Sequence, residues 1–187
     1  MKHKLFTTAF FILAFSFNPI FQSNASSNDF REKRWFSFID EQSSLVGTGK
    51  LSFFGIKLYR ASLFSGTLFN PEFPFKINFA LEIEYAKKFS KEKIANISRK
   101  EMLKLNVYKE KDLLLWHKWM LEKFPDISKN DTLTGIFSPN FGLKIFHNNK
   151  LIASNSNVEF AKAFFSIWLN KNTSEPTLRR KLLGLSN

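Results

Sequence analysis

Between residues 75 and 85 the chain reads FKINFALEIEY, and its large apolar side chains fall on every second position. Ile77, Phe79, Leu81, Ile83 and Tyr85 alternate with Asn78, Ala80, Glu82 and Glu84, the period-two pattern of a strand with one buried face. Upstream, SSLVGTGKLSFF and IKLYRASLF have strand composition and are hinged at Gly55, which predicts a hairpin. From Ser90 the period lengthens. Ile94, Ile97, Met102 and Leu105 recur at helical spacing behind Ser90 as N-cap, and a second helix over about 111–124 carries Leu113, Trp116, Met120 and Phe124 on one face, widened by Leu114 and Leu121. Pro125 ends it. DTLTGIF, LKIF and LIAS then predict a β-meander, with turns at SPNFG and at Asn148-Asn149, since Asn tolerates positive φ. In SNVEFAKAFFSIWL, Ser156 and Glu159 have capping-box spacing, and Phe160, Phe164, Ile167 and Trp168 share a face. A short last helix opens at Pro176 and stops at Gly184. Strands, helices, strands, helices is the order of an α+β fold, an antiparallel sheet covered on one face.

The N-terminus follows a different logic. A basic head, MKHK, precedes LFTTAFFILAFSF, an apolar run of signal-peptide length that is short for a bilayer span. Ser23 and Ala25 occupy the −3 and −1 positions of a cleavage after Ala25. Residues 1–25 are therefore expected to be a signal peptide, with an uncleaved anchor as the alternative, and the protein is expected to be exported, to the periplasm. Residues 26–34, SSNDFREKR, are expected to form a flexible mature N-terminus before a single domain over 35–187. The chain has no cysteine, so lipoprotein anchoring, thiol chemistry and disulfides are excluded. Stability must come from the core, and 24 phenylalanines make a large aromatic core available.

The net charge of +12 falls by two when Lys2 and Lys4 leave with the signal. Much of the remaining excess lies between Lys87 and Lys123, in the two helical segments, where scattered lysines form a solvated face or a surface for an acidic partner. No nucleic-acid partner is expected for an exported chain of this kind.

Candidate chemistry is sparse. Glu82 and Glu84 share one face of a strand, but it is the face opposite the apolar one, where a half-exposed strand carries its charges. His117 and His147 have no second ligand at metal spacing, so no metal is expected. The Gly47-Thr48-Gly49 triplet is not a dinucleotide fingerprint, and neither a nucleophile elbow nor a phosphate loop is present, so no cofactor is expected.

Taken in order, LVGTGKLSFFGIKLYRASLF, FALEIEYAKKFSKEKIA, GLKIFHNNKLIASNSNVEFAKAFFSIWL and TLRRKLLG resemble the bacterial chalcone isomerase-like proteins over about residues 35–184. The resemblance implies an antiparallel sheet backed by helices with a cleft between the layers. In plant chalcone isomerase that cleft closes a chalcone to a flavanone with the help of a strand Arg, a Thr and a Tyr. Related plant proteins bind a fatty-acid carboxylate there with an Arg and a Tyr. In this chain the Arg position aligns with Leu51, or with Lys50 if the register shifts by one, the Thr position with Tyr59, and the helix-start Tyr with Phe89. A lysine is a point charge without the guanidinium fork, and Phe89 lacks a hydroxyl for an oxyanion.

The resemblance therefore implies a non-catalytic domain binding a small amphipathic ligand, such as a fatty acid, at Lys50, Leu51, Phe53, Lys57, Tyr59 and Phe89. Strand alternation is expected to put Phe53 on Leu51's side and Lys57 with Tyr59. Two alternatives remain: an isomerase or lyase with an altered site, and an interaction module docking its basic helices, 87–123, on a partner or an anionic membrane surface.

Overall fold

The structure, a computed structural model, describes residues 29–185. The expected signal peptide, residues 1–25, lies outside the described residues. Six antiparallel strands run in sequence order across one sheet: β1 (Ser44–Phe53), β2 (Ile56–Ser65), β3 (Phe79–Tyr85), β4 (Thr132–Ser138), β5 (Gly142–His147) and β6 (Lys150–Asn155). The pair α1 (Lys91–Lys104) and α2 (Glu110–Lys123) is inserted between β3 and β4, while α3 (Val158–Leu169) and α4 (Pro176–Leu182) follow the meander.

The local signals act largely as their chemistry requires. Ser90 caps α1, its hydroxyl accepting from the Lys93 amide at 3.2 Å. Asn148 and Asn149 turn β5 into β6 at φ 45° and 67°. The cap of α3 is displaced by one residue from the expected Ser156: the Asn157 side chain accepts from the Phe160 amide at 2.9 Å. On α1 the buried stripe is Ala95, Ser98 and Met102, and Ile97, counted toward it from spacing, is exposed.

The main core lies between the sheet and the helices. Leu63, Leu81, Phe79, Phe137 and Ile145 from the strands meet Met102, Leu113, Met120, Phe160, Phe165 and Leu169 from the helices. Helix α3 is buried nearly all round because β4 and β5 lie against one side and α1 against another, with the Trp116 and Trp119 rings of α2 on Phe160 at 5.5 and 5.3 Å. At Gly135 of β4 the Phe165 ring comes so close that an added Cβ would sit 2.9 Å from it.

The sheet is covered on its second face too, contrary to the expectation of one covered face. Residues Asp29–Glu32 and Arg34–Phe38 form two short 3₁₀ turns there, so the described part of the stretch expected to be flexible is folded onto β-sheet. Trp35 and Ile39 are buried against Phe64, Ala80, Ile136 and Phe146 in a second, smaller core. Glu82 therefore faces this cap: its carboxylate accepts from Lys33 at 2.7 and 2.8 Å, from the Trp35 indole at 3.3 Å and from Thr134 at 3.2 Å. Glu84, by contrast, pairs at the surface with Arg60 at 3.3 Å. The two carboxylates share a sheet face as expected, but Glu82 is a clamp for the N-terminal segment, a role its local sequence does not reveal.

A second polar clamp closes the corner where β3, β4 and the β5–β6 turn meet. Asp131 accepts from the Asn148 side chain and the Ser128 amide, both at 2.8 Å, and lies 3.0 Å from His147 Nε2. These contacts, the Asn148 bond foremost, hold its carboxyl down at about 2, against an ordinary value of 3.8. Because the folded value lies below the unfolded one, the stabilisation is fully present above about pH 4 and is lost as pH falls through about 2. Asp131→Asn is expected to lower stability at pH 7 by about 1–2 kcal/mol. It should also flatten the fall in stability between those pH values, as read by urea unfolding across an acid series.

Candidate functional site: an aromatic seam and an open basic groove

Five of the six expected ligand residues lie on the β1–β2 hairpin, and the sixth, Phe89, follows β3. The hairpin register pairs Lys50 with Arg60 and Leu51 with Tyr59, then slips, so that Ser52 pairs with Lys57 and Phe53 with Ile56. Cross-strand partners share a face, so Leu51 and Tyr59, both packed against the main core, lie on the helix side. The slip leaves Leu58 as an extra residue in β2 between Tyr59 and Lys57, and Phe53, at the end of β1, is exposed and packs in neither core. Lys50 points away from the helices, beside Arg60. Leu51, Tyr59 and Phe89 thus gather at the main core, Lys57 is half-buried, and Lys50 and Phe53 are exposed.

What gathers on the helix side is a seam of aromatic rings. Tyr59 lies edge-on to Tyr85 with centroids 6.1 Å apart, and Tyr85 meets Phe89 at 5.5 Å. Phe89 is fixed by a two-way backbone bridge to Ile127, at 3.0 and 2.8 Å. The Trp168 indole N–H of α3 donates to the Tyr59 hydroxyl at 3.0 Å. Trp168 was absent from the sequence candidates, although one signal was available: an indole on the buried face of an apolar helix needs an acceptor. Burial pushes both phenols well above their ordinary value of 10.0. The Trp168 bond opposes that shift at Tyr59, while the charges of Glu175 and Glu101 add to it. Both hydroxyls are therefore protonated at neutral pH, and that of Tyr59 serves as a hydrogen-bond acceptor.

An open groove of about 590 Å³ lies at the other end of the sheet. Phe73, Pro74 and Phe75, from the connection into β3, and Leu169, at the end of α3, supply its apolar wall. Lys76, Lys162, Lys171 and Arg179 bring cations to it. Lys171 is engaged with Glu72 at 2.7 Å, a bond that lowers the Glu72 carboxyl below its ordinary value, and Lys162 reaches Glu159 at 2.7 Å. Arg179 Nε donates to the Leu169 carbonyl at 2.8 Å, which ties α4 to the end of α3. Lys76 has no ion pair among the described residues. None of the six residues expected from the sequence lines this groove. Its residues come from three separated segments and share no local pattern.

A six-stranded antiparallel meander with a helical layer, α+β in class, carrying an aromatic seam where the resemblance implies a cleft, defines the chalcone isomerase-like architecture. The chain belongs to the chalcone isomerase-like family, whose model matches residues 29–184. Among curated proteins it is 34% identical over 143 residues to an uncharacterized protein of Haemophilus influenzae, covering 74% of this chain and 67% of that one. Among solved structures it is similar to a fatty-acid binding protein of Arabidopsis thaliana, with a TM-score of 0.57 and 13% identity, over 78% of this chain and 89% of that one. At that identity the likeness concerns the fold.

Proposed function

We propose that this protein is a non-catalytic binding protein for an amphipathic acid of the fatty-acid type, held in the open groove between the β3 approach and the ends of α3 and α4. The observation that carries the reading is the composition of the groove wall: Phe73 and Phe75 offer apolar surface beside Lys76, Lys162 and Arg179. That is what an alkyl chain with an anionic head requires. The Arabidopsis neighbour is a fatty-acid binding protein, which supports the ligand class. An isomerase or lyase needs a donor and a group titrating near neutrality on one reacting atom. The seam offers two phenols raised away from neutrality, which favours binding over catalysis.

A second reading rests on one specific feature, since the Tyr59 hydroxyl proton has no acceptor among the described residues. In it, the ligand's polar end meets Tyr59 and Trp168, beside Leu51 and Phe89, after the aromatic rings part. The reading also takes the protein as exported, on the pattern of residues 1–25, which N-terminal sequencing of the protein recovered from the cell envelope tests.

Native mass spectrometry of purified protein should show a lipid-sized mass that is lost on denaturation. In titrations with a fluorescent fatty acid, the double variant Lys76→Glu/Lys162→Glu should bind roughly tenfold more weakly, the loss of one charge-assisted contact of about 1.5 kcal/mol. Weakening only by Tyr59→Phe or Trp168→Phe would move the ligand to the seam. No retained mass and no binding by the parent chain would overturn both readings.

A further inference from the structure

The tip of the β1–β2 hairpin is the most exposed apolar feature of the described molecule. Phe54 is 90% exposed, Phe53 63% and Ile56 54%, and the two phenyl rings stack edge to face with centroids 4.5 Å apart. None of the three contributes to either core. Phe54 also adopts φ 47° ahead of Gly55 at 77°, the first central position of a two-residue turn. That conformation suits Asn, Asp or Gly and strains a bulky side chain. The aromatic ring at this position therefore opposes the hairpin's own folding preference and gains nothing from packing.

Cations surround the tip. Lys57 follows Ile56, and Lys50 precedes the register slip. The amide of Ala86 donates to the Leu58 carbonyl at 2.8 Å, which carries the β2–β3 alignment past Tyr85 and brings Lys87 and Lys88 to the same end of the sheet. None of these four lysines makes an ion pair among the described residues. The acid nearest in register, Glu84, is engaged by Arg60.

We propose that this tip docks on an anionic lipid bilayer, with Phe53, Phe54 and Ile56 entering the headgroup–acyl boundary and the four lysines meeting lipid phosphates. The chemistry is that of interfacial anchoring, where apolar side chains insert shallowly and long cationic ones stay at headgroup level. Three side chains on a turn are too few for a stable protein interface, which buries about 800 Å² per partner. They are enough for a shallow, salt-sensitive contact with a surface of opposite charge. The contact is distinct from the basic groove, which lies at the far end of β2 and β3.

The test uses the absence of cysteine from the chain. The full chain carrying Phe54→Cys, and separately Phe53→Cys or Leu114→Cys, is labelled with an environment-sensitive fluorophore. Each is mixed with phosphatidylcholine vesicles containing or lacking phosphatidylglycerol. A blue shift at positions 53 and 54 with the anionic vesicles only, and none at 114, is the expected result. Combined Phe53→Ser/Phe54→Ser substitution should weaken binding through the tip roughly tenfold or more. Lys57→Glu/Lys87→Glu should abolish the dependence on phosphatidylglycerol while leaving the melting temperature unchanged. An unshifted label at both tip positions overturns the proposal, whether or not the chain binds vesicles elsewhere. A shift equal on neutral and anionic vesicles removes the lysines from it.

Discussion

Gly47→Ala is expected to destabilise the protein by about 3 kcal/mol, at the upper end of what overpacking a core position costs. The glycine lies in β1 under α4, and a Cβ there would run into the backbone carbonyls of Lys181 and Leu182. Backbone at a helix terminus cannot rotate away as a side chain can, so α4 must lift off the strand. Gly49 serves the same contact, since its Cβ would lie 2.5 Å from the Leu178 side chain and 3.3 Å from that of Lys181. Leucine can change rotamer, so Gly49→Ala should cost less than Gly47→Ala. Urea denaturation of the two variants checks both the size and the order. Because Arg179 of α4 lines the basic groove, Gly47→Ala should also weaken fatty-acid binding at temperatures where the sheet is still folded. Equal stability of the parent and Gly47→Ala would mean that α4 does not rest on β1 in solution.

Trp35→Ala is expected to cost about 3–5 kcal/mol. Trp35 is 1% exposed and its ring lies 5.3 Å from that of Phe64, over Ala80 and Ile136. Its indole also donates to Glu82, which Lys33 holds from the other side. Removing the ring opens a cavity and takes one partner from a half-buried carboxylate, two separate penalties. The segment is anchored through few elements, so its loss should appear first as local detachment. Limited proteolysis should cut within residues 29–40, while amides of β3 and β4 keep their exchange protection. Trp35→Phe should retain more of the stability than Trp35→Ala, because it keeps a six-membered aromatic ring and gives up the pyrrole part of the indole with its long hydrogen bond.

These two sites show where sequence reading reached and where it stopped. The alternation in FALEIEY, the caps at Ser90 and Pro176, and the Asn148-Asn149 turn are local properties, encoded within a few residues of where they act. They made the strands, the helices and the α+β class legible. The quoted blocks, in their order, carried the family resemblance. The GTG triplet was visible as an oddity, but its reason lies in α4, about 130 positions later in the chain.

The site was less legible because it depends on non-local placement. Alternation puts Lys57 with Tyr59 only while the ladder stays regular, and the slip after Leu51 leaves one extra residue, Leu58, between them. Tyr59 and Phe89 could be named from the resemblance, but their partner Trp168 lies over a hundred positions from Tyr59, connected only through the packing of α3 on the sheet. The second core could not be read from SSNDFREKR and RWFSF, because a short aromatic-rich segment without periodicity does not say which surface it will cover. The sequence by itself determined the elements, the turns and the absence of thiol chemistry, since these follow from side-chain spacing, backbone preference and composition. Only the tertiary structure decided which face each residue took and which distant segments formed the groove, because burial is a property of contacts between elements.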